Sequence, residues 1–422
     1  MVCLYEQDEK IKFMNKTAAT TTESTSSYSF YWILLLALLT SLGPLSIDMY
    51  LPALPEMADD FAVSTQMVSN SLPAYFLGLA VGQLIYGPIS DRIGRKIPLY
   101  FGMSLYILAS VLCFFADSVW SLIFARVLQA LGGCVGLVIA RAAIRDRLNA
   151  EASAQAFASM MMVSTIAPIV APSIGAFLLN FFSWHALFMA LAVIGVICLL
   201  CIHFLFDETL AAERRLKLSV AQVGQLYFSI IKDKSFRTPM LIGCFSGGML
   251  FVYISSASAV FMDIFQLTEQ QFGLIFGMNA LGIVFFSSLN KVLAKRLHLF
   301  QRIALGNAVQ MSGVLLLVLG WILQMQHFWL VVVGLFFAKA GIGLTGPNTM
   351  ALAMAHQGSR AGTASAIMGS MQFFCGLLGG IILNFLFWDA LTNMTITMLV
   401  FISLSFILIH YMRLSAKEKF SI

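Results

Sequence analysis

Three ionisable side chains stand inside long apolar runs of this sequence: Asp48 in LGPLSIDMYLPALPEM, Arg126 in IFARVLQALG and Lys339 in FFAKAGIGLT. Holding such a group in hydrocarbon costs about 2.5 to 3.5 kcal/mol on insertion scales, so its retention points to a task such as a proton relay, a substrate pathway or a counter-ion. A carboxylate like Asp48 binds and releases a proton as its surroundings change. Counted from the outer ends of their runs at 1.5 Å per residue, Asp48 and Arg126 both lie about 9 Å deep and could pair. The pair would be either a proton-coupling couple or a static bridge that fixes helix packing. Lys339 lies about 17 Å deep by the same count. It either attracts anionic or electron-rich groups or makes a structural contact, and no buried carboxylate of the second half is placed to partner it. Tyr50, Asn70, Tyr75, Gln83, Gln129, Tyr253, Asn279, Asn348 and Gln372 add hydrogen-bonding groups on apolar segments, where they line a cavity or tie helices together.

The elements that position these residues follow from composition. Of 422 residues 59% are hydrophobic and 11% charged, with a mean hydropathy of +0.88. Soluble domains carry about 25% charged residues, so this is the composition of a polytopic membrane protein in a lipid bilayer. The net charge of +5 does not indicate nucleic acid, because the basic residues sit in short loops between apolar runs rather than on a folded aqueous face. The seven cysteines lie almost wholly in apolar segments and act as small hydrophobes. Cys198 and Cys201 form a CxxC within one such segment, where packing outweighs redox or metal chemistry. GIGLTGPN (341–348) lacks the GK[ST] ending of a phosphate loop. No metal cluster, cofactor motif or nucleophile constellation is present, so nothing favours an enzyme.

About 20 apolar residues cross a bilayer core, and twelve such runs are found, near 30–54, 67–89, 97–116, 119–143, 156–181, 185–206, 237–262, 271–292, 301–323, 327–352, 361–386 and 390–412. The predicted fold class is all-α, with both termini cytoplasmic. In that topology 23 of the 25 Lys and Arg fall in the tails, the cytoplasmic loops or the adjoining helix ends, as the positive-inside rule requires. Residues 1–29 are polar and read as a disordered tail, and 413–422 as a short cytoplasmic tail. The charged stretch 207–236 splits the runs into halves at 30–206 and 237–412, and its 219–231 portion predicts an amphipathic helix along the inner surface. The halves look related. IFARVLQALG aligns with FFAKAGIGLT so that Arg126 matches Lys339, and GAFLLNF (175–181) resembles GIILNFL (380–386). Two six-helix repeats would place a substrate cavity where they meet.

The loop GPISDRIGRK (87–96) carries four charges in ten residues and resembles the GxLaDrxGRK signature of the major facilitator superfamily at Gly87, Asp91, Arg92, Gly94, Arg95 and Lys96. There Gly87 would permit close helix approach and Gly94 a tight turn. Asp91 would pair with a cation and cap the next helix, while the arginines would hold cytoplasmic helix ends together. LGPLSIDMYLPALPEM is similar to the first helix of drug:proton antiporters of the bicyclomycin-resistance (Bcr/CflA) type. RVLQALGG (126–133) resembles the RxxQGxG motif of proton-coupled members. IAPIVAPSIGA (166–176) departs from the antiporter signature GPxxGG, with Ala171 and Ala176 in place of glycines, yet keeps Pro172 and Gly175; Pro168 and Pro172 would kink that helix. The resemblance implies a monomeric, proton-coupled exporter of small amphipathic drugs in the bacterial inner membrane, taking only a small-molecule substrate and protons as partners. The alternative is a dedicated exporter of a metabolite such as a siderophore, amino acid or nucleoside-like compound.

Overall fold

The structure is a computed structural model that describes residues 30–215, 219–324 and 327–420; the tail predicted at 1–29 lies outside them. Among the described residues eleven helices are long and apolar enough to cross a membrane: Tyr31–Asp60, Thr65–Ile93, Lys96–Phe114, Val119–Arg147, His185–Leu205, Lys234–Ile264, Glu269–Leu293, Leu299–Ile322, Phe328–Met354, Ala361–Phe385 and Ala390–Leu414. The twelfth, fifth in chain order, is the 30-residue helix Ala150–Leu179, with its apolar part at Ile166–Leu179. They are called the first to twelfth spans below. The last helix continues to Phe420, through most of the stretch read as a tail. The linker helix is Val220–Lys232.

Local sequence explains several of the helix starts. Ser118 with Ser121, Ser219 with Gln222 and Thr268 with Gln271 form reciprocal capping boxes, and the side chains of Asn149 and Asp233 accept from the first turns of the fifth and seventh spans. Each satisfies N–H groups that the helix itself leaves unpaired.

Two spans are interrupted in mid-course. In the first, the α-helix stops at Asp48, a turn follows, and a 3-10 segment Leu51–Ala53 leads into Leu54–Asp60. Pro52 and Pro55 lack the N–H that a continuous helix would need. In the tenth, the helix Phe328–Ala340 gives way at Gly341 and resumes at Ile342. Irregular backbone at membrane depth survives only where protein covers it, and Asp48, Tyr50, Leu51, Lys339 and Ala340 are all buried. The fifth span, by contrast, runs unbroken through Pro168 and Pro172.

The first six and last six spans meet along two seams, second against eleventh and fifth against eighth. On the first, Ser370 Oγ donates to the Ala80 carbonyl (2.7 Å) and Gln83 packs against Gly369. At the end of that seam Asn384 Nδ2 donates to Asn70 Oδ1 (2.6 Å), and on the second seam Gln270 Nε2 donates to Asn180 Oδ1 (2.7 Å). Toward the opposite end Tyr227 of the linker helix donates to the Leu84 carbonyl (2.9 Å).

Candidate functional site: a buried charge chamber between two six-helix sets

Asp48 ends the helical part of the first span and Lys339 stands one residue before the end of its own helix segment. Asp48 is 2% exposed and Lys339 1%, so neither aqueous side reaches them in this conformation. The charge that acts on Asp48 is that of Lys339, from the other half of the molecule. The sequence ruler misjudged the depth because the first span extends to Asp60 rather than residue 54. Twelve residues, not six, separate Asp48 from that end, and the break after Asp48 leaves no single helical rise to convert them to a depth. The Asp48–Arg126 pair does not form. Among the described residues, the ion pairs within 4.0 Å are Arg95 with Asp91 and Arg95 with Asp146.

Arg126 is fully buried in an aromatic box instead. Its guanidinium carbon lies 4.4 Å from the Tyr50 ring centroid, 4.2 Å from Tyr75 and 5.8 Å from Phe188. Nη1 donates to Gln129 Oε1 (2.6 Å), and Gln129 Nε2 passes the chain on to Ser110 (2.8 Å). Lys339 is held in a similar way, its Nζ 3.4 Å from the Tyr253 ring centroid and 5.5 Å from that of Phe276. Cation–π contact of this kind is worth about 2 kcal/mol or more where water is excluded. Several buried polar atoms in this region have no hydrogen-bond partner: Asp48 Oδ1, Arg126 Nε and Nη2, the hydroxyls of Tyr75 and Tyr253, and both amide atoms of Asn279. In folded proteins buried groups of this kind bond to ordered water, an ion or a ligand.

The other polar residues singled out in the sequence divide differently. Tyr50 contributes its ring to Arg126 while its hydroxyl bonds Ser71 (2.8 Å). Asn70 belongs to the outer seam and Gln83 to the second–eleventh contact. Asn348 is committed to Asn290 and the Leu344 carbonyl. Gln372 lies beside Gly247 within the second half. Gly175 allows the fifth span to press against the Met49 carbonyl, one residue from Asp48; a Cβ there would overlap that oxygen.

At the linker end of the first six spans, the charged loop forms a compact network. Arg95 bonds Asp91 (2.6 Å), Ser90 (2.7 Å) and Asp146 (2.9 Å), tying the end of the second span to that of the fourth. Gly94 adopts φ +101°, which a residue with a Cβ rarely takes. Asp91 does not cap the next helix. Glu208 does so, accepting from the N–H groups of Arg95 (2.8 Å) and Lys96 (3.2 Å) as well as Leu210 (3.0 Å). Burial works to raise the Glu208 pKa, but those bonds and the Arg215 charge outweigh it and hold the carboxyl below the ordinary glutamate value. Gly87 has open space where a Cβ would lie, so close helix approach is not its reason here. Arg92 is exposed. Asp146 and Glu208 went unassigned in the sequence reading; the surplus of arginine in the loop was the signal that acids must lie opposite.

Two six-helix sets meeting around buried charges define a multi-pass membrane transporter. The chain belongs to the Major Facilitator Superfamily, whose model matches residues 36–380, and within it to the efflux transporters of the bicyclomycin-resistance (Bcr/CflA) type. It is 37% identical over 348 residues to the uncharacterized MFS-type transporter YdgK of Bacillus subtilis, covering 81% of this chain and 85% of the relative. It is 30% identical over 370 residues to the bicyclomycin resistance protein homolog of Haemophilus influenzae, covering 88% and 93%. The fold matches a D-xylose–proton symporter with a TM-score of 0.70 at 14% identity, over 92% of this chain and 97% of that one.

Proposed function

We propose that this transporter is a proton-coupled antiporter that exports small amphipathic drugs across the bacterial inner membrane, with both termini cytoplasmic. Asp48 takes a proton from the outer side and gives it up inside, in alternation with drug binding. Arg126 stays a fixed charge within its aromatic box. The halves rock against each other along the second–eleventh and fifth–eighth seams, while the Arg95 network holds the inner helix ends of the first half together as one unit.

The observation that carries this reading is the position of Asp48: a buried carboxylate at a helix break, on the boundary between the halves, under the field of a lysine on the opposite side. Protonation removes the carboxylate's attraction for Lys339, so the proton changes an interaction that spans the two moving bodies. Discontinuous helices at the repeat interface are where transporters of this architecture place coupling and substrate groups.

Inverted membrane vesicles provide the test, with proton release and drug accumulation followed for chloramphenicol-like, bicyclomycin-like and siderophore compounds. At least one compound should elicit proton release, and Asp48→Asn should abolish that release while the protein remains in the membrane. Coupling that survives Asp48→Asn refutes the assignment.

A further inference from the structure

The same chamber says which head group a substrate should carry; the argument deepens the export reading and rests on it. The tyrosine faces beside the buried charges, which would receive a lipophilic cation best, already hold the protein's own cations. Tyr50 and Tyr75 face the Arg126 guanidinium, and Tyr253 faces the Lys339 ammonium at 3.4 Å. A cationic drug would have to displace one of the protein's own buried cations to use them. The fixed charges lean the same way: two cations, Arg126 and Lys339, against the single carboxylate of Asp48, with no carboxylate within 4.0 Å of either cation among the described residues. Of the unpaired hydrogen-bonding groups, three only donate, Arg126 Nε and Nη2 and the Asn279 amide nitrogen, while the hydroxyls of Tyr75 and Tyr253 act either way. Two acceptors remain, Asp48 Oδ1 and Asn279 Oδ1.

We propose that this chamber selects amphipathic compounds with a carboxylate or similarly acceptor-rich, uncharged head group anchored by Lys339, and rejects lipophilic cations. The head group displaces Lys339 from the face of Tyr253 and accepts from its ammonium; Asn279, one helical turn beyond the Phe276 that also flanks Lys339, has an unpaired amide N–H. Asp48 Oδ1 is left to accept a hydroxyl of the substrate or a proton. Protonation makes Asp48 a weaker, neutral acceptor and adds an O–H donor, so the proton lowers its hold on a substrate hydroxyl, the linkage that exchange requires.

The test uses the full chain in lipid nanodiscs with three probes of one shape: naphthylacetate, naphthylacetamide and naphthylmethyl-trimethylammonium. Tritiated naphthylacetate binding is read by scintillation proximity, and the other two compete against it. The carboxylate should bind best, the amide next and the ammonium about tenfold or more below the carboxylate, the factor a charge-assisted hydrogen bond supplies. Lys339→Met should bring the carboxylate down to the amide, and Lys339→Arg should keep the original order. An ammonium that binds as well as the carboxylate overturns the proposal, as does an unchanged preference in Lys339→Met or the absence of saturable binding by all three. The wild-type ranking needs no variant and stands if Lys339→Met fails to fold. Binding is also read without transport. If vesicles show no proton release but the ranking holds, the export reading falls alone; if export is present and the ranking is inverted, this inference falls alone.

Discussion

Glu208 is a small acid with a structural task that its neighbours make visible. Its carboxylate sits at the N-terminus of the third span, where backbone N–H groups and the helix dipole both favour negative charge. Its folded pKa is depressed, so the stability it contributes is present above the unfolded glutamate value of about 4.3 and is lost as pH falls through the folded value. Glu208→Gln should therefore lower the melting point of the purified protein at neutral pH by the equivalent of about 1 kcal/mol, the usual worth of a helix cap. The gap between variant and parent should close as the pH is taken below about 4. A gap that persists in acid would show that shape rather than charge carries the effect.

At the scale of elements, the twelve spans were legible because apolar length and loop charge report on each helix separately, without reference to its neighbours. Asp48, Arg126 and Lys339 could be singled out for the same reason, since a charge within hydrocarbon is conspicuous in any window. Their partners could not be read. The ruler of 1.5 Å per residue assumes a continuous helix with known ends, and the first span breaks at Asp48 and runs on to Asp60. Which rings close on Arg126 is decided by helix crossings between segments distant in sequence. Gly175 illustrates such a crossing, because the fifth span reaches the first only through the space its missing side chain leaves at Met49. Gly175→Val would drive a branched side chain into that carbonyl, and neither backbone has room to yield in a well-packed interior. The expected outcome is a loss of about 3 kcal/mol or more of stability, seen as a sharp drop in monodisperse protein on size exclusion. Gly87→Ala, where the Cβ meets open space, should elute as the parent does.

In the whole molecule the span ends opposite the linker helix are drawn together. Asn70 and Asn384 bond across one seam at 2.6 Å, Asn180 and Gln270 across the other at 2.7 Å, and the rings of Phe76 and Phe251 meet with centroids 4.6 Å apart. A transporter that works by rocking two halves must break all of these contacts in every cycle, and each is a polar or aromatic contact of modest strength rather than a buried ion pair. Their opening should therefore set no large barrier unless it is imposed. A cysteine at position 70 and another at 384, in a background with the native cysteines replaced, would be joined by a short bifunctional methanethiosulfonate, which forms a reducible disulfide at each end. Joining them should stop drug accumulation in inverted vesicles while leaving binding from the cytoplasmic side intact, and a reducing agent should restore transport. Accumulation that continues through a complete crosslink would mean that these ends do not part during the cycle, and the rocking scheme would have to be replaced by motion within one half.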